Sequence, residues 1–206
     1  MNTAVSYLPS AAGQANEAEI RRVFELQRET MLRLRTSSAD ERIAKIKRLR
    51  DAVLAHTQDL YDAGYKDFKK PPAEVDLTEI LPIVAEANDA IRNLRKWMKP
   101  TGVWPTRMMM GTKAYIQYEP KGRCLIVSPW NYPVNLSFGP LVSALAAGNT
   151  CIIKPSEMTP HAAALMSKIV KEIFREDEIA IFEGDAAIST ALLALPFDHI
   201  FFTGSP

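Results

Sequence analysis

Apolar residues in the first half of the chain recur at steps of three and four, the spacing typical of amphipathic helices. The pattern predicts a first helix over residues 17–35. A second helix is expected to begin after Ser38, because Ser38 and Glu41 form a capping box. Gly64 is expected to end it, since glycine is a common helix stop.

A third helical pattern covers residues 73–98, and Pro82 falls inside it, so we expect a kink or an early boundary there. Residues 100–111 contain proline, glycine and consecutive methionines and are predicted to form a connection. The next segment, 112–118, is rich in β-forming residues and is predicted to be a strand. Residues 1–15 are small and polar and are expected to form a weakly packed tail.

In the second half of the chain, short apolar runs alternate with helical segments. Strands are predicted at Arg123–Val127, Thr150–Lys154, 179–183 and His199–Phe202. Helices are predicted between them at 136–147, 160–174 and 187–193. This alternation favours βαβ units, and therefore an α/β fold in which the N-terminal helices pack on a Rossmann-like parallel sheet.

The charge balance excludes some classes of partner. The 206 residues carry 25 Lys and Arg against 24 Asp and Glu, so nothing favours a nucleic acid or an anionic membrane. We find no apolar run long enough to cross a bilayer and recognise no secretory signal. Cys124 and Cys151 each stand at the start of a predicted strand and are expected to be buried, inert thiols. We therefore expect a reduced, cytoplasmic protein.

Polar and glycine-containing segments follow the predicted strands. They are residues 128–133, 154–157, 183–185 and 203–205. Ligands of an open parallel sheet bind beyond the carboxyl ends of its strands, so four such segments at one edge predict the ligand site there. The histidines His56, His161 and His199 are scattered and have no neighbouring cysteine or carboxylate at metal-ligand spacing, so no metal site is expected.

Four motifs occur in order: Pro-Trp-Asn-Tyr-Pro, Ala-Ala-Gly-Asn, Lys-Pro-Ser-Glu and Phe-Asp-His-Ile-Phe-Phe-Thr-Gly-Ser. In order and spacing the chain resembles the aldehyde dehydrogenase superfamily, above all its class-3-like, coniferyl-aldehyde-dehydrogenase-like branch. The resemblance implies an incomplete aldehyde dehydrogenase fold that lacks the catalytic domain. Residues 1–110 would be helices of the cofactor-binding domain, 111–120 part of an oligomerisation hairpin, and 121–206 the NAD(P)-binding portion. It also implies an aldehyde substrate and a homodimer for the complete protein.

The resemblance assigns Asn131 to catalysis, as the side-chain amide that donates to the oxyanion of the thiohemiacetal. Losing such a donor typically lowers the rate by about a hundredfold or more. An asparagine before a helix is also a common N-cap, which is the alternative role. The family's cysteine nucleophile and its glutamate lie beyond the last residue. The resemblance therefore implies NAD(P)-dependent aldehyde oxidation by a full-length parent and inactivity of this segment alone.

The same resemblance implies that Lys154 and Glu157 contact the adenosine ribose, with Ser156 in the same turn. A carboxylate there favours NAD, because it would repel the 2′-phosphate of NADP. NADP stays possible if the Glu157 side chain turns away. Glu157 has an alternative explanation, because a carboxylate at a helix N-terminus is favoured by the helix dipole. Trp130 has one as well, because a tryptophan at this position could pack in the core. The other implied cofactor contacts are Ser128, Pro129, Trp130, Gly184, Gly204 and Ser205.

Two other functions stay open. One is a non-enzymatic module that dimerises or holds a nucleotide. The resemblance of residues 112–118 to the first part of the family's oligomerisation hairpin supports this alternative. The same strand could be no more than a sheet edge in need of cover. The other is an acyl-CoA-forming relative, although the Pro-Trp-Asn motif suits hydrolytic members better. The sequence leaves the identity of the aldehyde open.

Overall fold

The computed structural model describes residues 17–204, so the predicted tail and Ser205 lie outside the described residues. The helices are α1 (Glu17–Leu34), α2 (Ala39–Ala55), α3 (Thr57–Phe68), α4 (Pro72–Val75), α5 (Leu81–Trp97), α6 (Asn135–Ala147), α7 (Pro160–Ile173) and α8 (Ala186–Leu193). The strands are β1 (Thr101–Val103), β2 (Ala114–Ile116), β3 (Arg123–Val127), β4 (Thr150–Lys154), β5 (Ile179–Ile181) and β6 (His199–Phe202). A π-helical turn (Asp76–Ile80) joins α4 to α5.

Four strands form the predicted parallel sheet, in the order β5-β4-β3-β6. Neighbouring strands all run parallel, and Cys124 of β3 lies opposite Cys151 of β4. Successive side chains of a strand face opposite sides of the sheet. Ile126 of β3 therefore packs in the core formed with α6 and α7, while Leu125 packs in the core formed with α1 and α8. The predicted α/β class, with helices packed on a Rossmann-like sheet, is confirmed.

The second predicted helix is interrupted at His56, so that α2 and α3 take its place. The prediction that this helix ends at Gly64 is wrong. Gly64 lies inside α3, where a Cβ would come within 2.8 Å of the Val75 side chain. The glycine therefore allows α4 to approach α3 closely, and it does not stop the helix. α3 continues to Phe68, and Lys69 follows in the left-handed conformation with φ 63°.

Two other local predictions are confirmed. Ser38 caps α2, and its hydroxyl oxygen accepts a hydrogen bond from the Glu41 amide at 3.1 Å. Pro82 stands in the first turn of α5, directly after the π-helical turn in which the Leu81 amide reaches back to the Asp76 carbonyl. A proline cannot donate to the preceding turn, so the regular helical ladder changes at this point.

The β1–β2 hairpin differs in part from the prediction. Within 112–118 the strand is limited to β2, and it pairs antiparallel with β1. The prediction that 100–111 only connects other elements is therefore wrong for Thr101–Val103, which gains hydrogen-bond partners from the returning chain. Large apolar side chains remain exposed around this hairpin, with Trp104 at 98% and Met108 at 96%.

His56 links the α2–α3 junction to α7. Its Nδ1 lies 2.7 Å from an Asp59 carboxylate oxygen and its Nε2 lies 3.0 Å from one of Glu172. The hydrogen bond to Asp59, followed by that to Glu172, raises the pKa of His56 above its ordinary value, while burial and Lys168 oppose the rise. Protonation of the ring is thus more favourable in the folded protein than in the unfolded chain.

We expect this contact to make stability depend on pH. Because the folded-state pKa is the higher one, the stabilisation is fully present below the unfolded pKa of about 6.5 and is lost as pH rises through the folded value. Wild type should therefore lose more unfolding free energy than His56→Gln between about pH 5.5 and about pH 9 in urea titrations. His161→Gln, at an exposed position, is the control. Identical pH dependence of wild type and His56→Gln would contradict the prediction.

Candidate active site

The strand order creates a crevice between the carboxyl ends of β3 and β6. From β3 the chain moves through α6 to β4 and through α7 to β5, and α8 then leads it back to β6 on the other side of β3. Counted from β3, the spatial order is 3-2-1-4, which begins the doubly wound order of dinucleotide-binding sheets. Ligands of such sheets bind where the direction of winding changes, so the loop after β3 and the residues after β6 border the predicted site.

The β3–α6 loop, residues 128–134, begins with a buried serine. The Ser137 hydroxyl donates to the Pro133 carbonyl at 2.7 Å, so the Ser128 hydroxyl is the donor in its 2.6 Å contact with Ser137. The Ser128 amide donates to the Lys154 carbonyl at 3.1 Å. The Ser128 side chain therefore points into the fold. Only backbone groups of Ser128 and Pro129 are left as the contacts that a cofactor could use here.

Asn131 is exposed at the outer part of this loop, and within residues 17–204 its side-chain amide has no hydrogen-bond partner. Its backbone carbonyl accepts a hydrogen bond from Lys70 Nζ at 2.9 Å. The alternative role as the cap of α6 is not observed, because the Val134 and Asn135 amides donate to Glu79 Oε2 at 3.1 and 2.9 Å. The Asn131 amide is thus free to donate to a ligand.

The end of β4 brings a carboxylate to the same edge of the sheet. Lys154 is 2% exposed, whereas the Glu157 side chain is 44% exposed. Lys154 Nζ lies 3.1 Å from Glu157 Oε2 and also donates to the Pro155 carbonyl at 2.8 Å. The Ser156 hydroxyl oxygen accepts from the Met158 amide at 3.2 Å, which holds the turn. The buried ammonium therefore anchors a carboxylate that stays accessible.

The Trp130 side chain is partly packed and partly exposed. Its ring stacks on Phe68, with centroids 6.3 Å apart and planes inclined by 28°. The residue nevertheless remains 49% exposed. The ring thus packs on Phe68, which is itself only partly buried, and the rest of the indole stays accessible at the loop.

The two described glycines of the predicted site have different surroundings. Gly184, after β5, has φ 140°, and a Cβ there would lie 2.5 Å from Ile188. This glycine lets the turn pack closely on α8, which Asp185 caps by accepting from the Ala187 amide at 2.9 Å. Gly204 is exposed and lies two residues beyond the last residue of β6. Gly184 thus has a packing role of its own, while Gly204 borders the crevice.

Sequence reasoning missed two residues that hold the β3–α6 loop, Lys70 and Glu79, which are 9% and 4% exposed. Burial raises the pKa of Glu79, and the Asn135 amide and Lys70 oppose that rise. One signal could have found the carboxylate. Val75, Glu79 and Ile83 are spaced by four, so a charged residue occupies a position on the apolar face of the predicted helix.

Cys124 and Cys151 are buried, as predicted, at the amino ends of β3 and β4 and away from the crevice. Burial raises the pKa of Cys124 to about 12 and that of Cys151 well above its ordinary value. Thiol chemistry requires the thiolate, and burial disfavours the thiolate at both positions.

An apolar groove of about 480 Å³ lies elsewhere, between α6 and the uncovered strand β6. Cys124, Gly139, His199 and Phe201 are among the residues that line it. His199 opens β6, as predicted, and so lies at the amino end of the strand. The groove thus extends away from the loops that follow β3 and β4, and it does not coincide with the predicted site.

The motifs and the fold together match a known family. The model of the aldehyde dehydrogenase family matches residues 8–206. This chain belongs to the aldehyde dehydrogenase family. AldX of Bacillus subtilis is 42% identical over 187 residues, which cover 91% of this chain and 42% of AldX. The coniferyl aldehyde dehydrogenase of a Pseudomonas species is 37% identical over 174 residues, which cover 84% of this chain and 34% of that enzyme.

Structural comparison agrees with the family assignment. The substrate-bound AldH of Staphylococcus aureus aligns with a TM-score of 0.88 at 36% identity, over 90% of this chain and 41% of that one. This aldehyde dehydrogenase segment thus spans about two fifths of the length of AldX and AldH. The predicted coniferyl-aldehyde-dehydrogenase-like relationship and the partial fold are confirmed. Among residues 17–204, none of the helices is both long enough and apolar enough to cross a membrane.

Proposed function

We propose that this segment forms the cofactor-binding side of an NAD(P)-dependent enzyme that oxidises an aldehyde to a carboxylic acid. We call the longer protein that would contain this chain the parent enzyme. The observation that carries the proposal is the free amide of Asn131 beside the crevice, in a member of the aldehyde dehydrogenase family. An unengaged donor at the carboxyl edge of a parallel sheet is suited to act on a ligand.

Asn131 would act on the substrate oxygen. When the parent's nucleophile adds to the aldehyde, negative charge develops on that oxygen, and the amide would donate a hydrogen bond to it. Such a donor lowers the barrier because it meets charge that is absent from the ground state. Neither the nucleophile nor the glutamate of the family is among the groups that we assign to this segment.

The cofactor site is proposed on chemical fit. Glu157 offers an accessible carboxylate to the hydroxyls of a ribose, and the buried Lys154 ammonium pairs with that carboxylate. Gly204, which follows β6, would face the pyrophosphate, and the exposed part of Trp130 would contact the cofactor beside the β3–α6 loop. Ser205 is proposed as a further cofactor contact on the family resemblance alone. NAD, when bound, would accept the hydride of the aldehyde. We propose NAD as the preferred cofactor, with NADP as a weaker alternative.

The test is kcat/KM with NAD and with NADP for the wild-type parent enzyme and for Glu157→Gln, over aromatic, aliphatic and semialdehyde substrates. We expect wild type to prefer NAD. Glu157→Gln should narrow the gap by about three- to tenfold, mainly by improving NADP, because repulsion of the 2′-phosphate is removed while an amide oxygen still accepts. Lys154 partly offsets the repulsion, so NADP is not excluded.

Glu176→Gln is the matched control, since Glu176 is a surface carboxylate paired with Arg22 and not with Lys154. It should leave the NAD-to-NADP ratio unchanged. A wild type that prefers NADP, or a ratio unaffected by Glu157→Gln, would place Glu157 away from the ribose. If the parent enzyme forms no reduced cofactor with any aldehyde, the proposed function fails.

The exposed hairpin supports a further part of the proposal. Trp104, Met108 and Tyr118, which flank the two strands of the hairpin, are 98%, 96% and 78% exposed. Large apolar side chains exposed together are typical of interaction sites. We therefore propose that the β1–β2 hairpin contributes to a homodimer of the parent enzyme. We also propose a cytoplasmic location, because both cysteines of this chain are free.

The same hairpin also favours the second candidate, a non-catalytic module that dimerises or holds nucleotide. The downstream coding sequence separates the two functions. A glutamate-glycine-glycine segment followed by a cysteine motif would establish the enzyme, and a stop codon would favour the module.

A further inference from the structure

A buried ion pair lies directly behind the β3–α6 loop. Lys70 Nζ and Glu79 Oε1 are 3.4 Å apart, and the two side chains are 10% and 5% exposed. Removing two charges from water is costly unless close geometry and further hydrogen bonds compensate. In this pair those further bonds all go to the loop and to the first residue of α6.

Lys70 fixes the part of the loop that carries Asn131. Its ammonium donates to the Asn131 carbonyl at 2.9 Å. The same ammonium lies 4.5 Å from the ring centroid of Phe68 and 4.7 Å from that of Tyr132, the residue after Asn131. Cations over aromatic rings are attracted by the ring quadrupole. Lys70 therefore holds the peptide unit and the ring that directly follow Asn131.

Glu79 fixes the other end of the loop. Its Oε2 accepts from the amides of Val134 and Asn135, which are the amides at the start of α6. The N-terminus of a helix favours a negative charge because its first amides lack partners within the helix. Glu79 lies on the π-helical turn that precedes Pro82. One carboxylate thus caps α6 and pairs with the lysine that holds Asn131.

We propose that Lys70 and Glu79 are positioning residues for Asn131, and that they orient its side-chain amide toward the reacting oxygen. This inference rests on the proposed oxyanion role of Asn131. The pair reaches the site only through the backbone of the loop, and the Asn131 side chain itself is unsupported among the described residues. Misplacement of a catalytic group by about 1 Å can cost about a hundredfold in rate, so the loop must be held firmly.

The kinetic test compares Lys70→Met, which keeps most of the unbranched side chain but removes the charge and the donor, with Lys70→Arg, which retains both. Lys45→Met is the control, because Lys45 is 6% exposed and pairs with Glu178 at 2.8 Å outside the site. In the parent enzyme Lys70→Met should lower kcat by about ten- to a hundredfold with little change in the KM for NAD. Lys70→Arg should recover part of the loss, and Lys45→Met should leave kcat unchanged.

A double-mutant cycle with Asn131→Ala tests whether Lys70 acts through Asn131. If it does, adding Lys70→Met to Asn131→Ala should lower kcat by less than about threefold further. Losses that multiply in the double variant would overturn the inference, because Lys70 would then act independently. If Asn131→Ala alone leaves kcat unchanged, the proposed function fails. Whether Lys70 and Glu79 orient the Asn131 side chain is then decided by a measurement that needs no activity.

That measurement is the ¹H–¹⁵N correlation spectrum of the 206-residue chain. Lys70→Met should move the backbone amide signal of Tyr132, because this amide shares its peptide unit with the Asn131 carbonyl that loses its donor. It should also move the side-chain amide signals of Asn131, whereas Lys45→Met should leave both sets of signals in place. Unmoved Asn131 signals in Lys70→Met would overturn the inference. If Lys70→Met does not fold, Glu79→Gln, which removes the charge and keeps an acceptor oxygen, serves for the same comparison.

Discussion

Replacing Asn131 by alanine in the parent enzyme is expected to lower kcat by about a hundredfold or more, while the dissociation constant for NAD changes little. The reason is that the amide, in its proposed role, would meet charge that appears only in the transition state. The surroundings of Asn131 sharpen this expectation. Within residues 17–204 its side chain bonds to nothing, so the substitution removes no contact that stabilises the fold.

Asn135→Ala is a suitable control for this substitution. Asn135 lies four positions further along, at the start of α6, and is among the residues that line the groove beside β6. Alanine at this position keeps the backbone amide that donates to Glu79. We expect it to leave kcat unchanged. The measurements are steady-state kcat, NAD binding at equilibrium and urea unfolding of both variants. An unchanged kcat combined with lost stability in Asn131→Ala would identify Asn131 as a structural residue.

The 206-residue chain alone is expected to form no reduced cofactor from any aldehyde with NAD or NADP. Both of its cysteines are buried at the amino edge of the sheet, away from the Asn131 loop. Burial raises the pKa of Cys124 to about 12, so the thiol form dominates at neutral pH. Cys151 is more deeply buried still. We therefore expect neither thiol to supply the nucleophile of the proposed reaction.

The check is an absorbance assay for NADH and NADPH with the folded chain, whose folding is verified by circular dichroism. Cys124→Ser and Cys151→Ser are assayed in parallel with wild type. Reduced cofactor that forms with wild type and disappears in either variant would show that a buried cysteine reacts. It would overturn the interpretation of both residues as structural.

Much of the sheet could be predicted from the sequence because its signals are local. The limits of β3 and β4 agree with the prediction residue for residue, since each is a short apolar run with turn residues beside it. The cap at Ser38 is likewise a contact between near neighbours in the chain. The motifs after β3, β4 and β6 indicated the family for a similar reason, because each is contiguous.

The end of α3 and the strand β1 could not be predicted in this way. Gly64 carries the usual signal of a helix stop, yet its lack of a side chain serves contact with Val75 of α4. β1 has no strand pattern of its own, and it exists because β2 returns beside it. In both cases the decisive partner comes from another element, so no pattern within the segment itself could reveal it.

The sequence by itself determined the α/β class, the family and the positions of Asn131, Lys154 and Glu157 at one edge of the sheet. Only the tertiary structure decided what holds Asn131. Lys70 lies 61 residues before Asn131, and Glu79 lies 55 residues before the helix end that it caps. Helical and strand periodicity depend on neighbouring residues, whereas a buried ion pair forms only where packing removes both charges from water and supplies their partners.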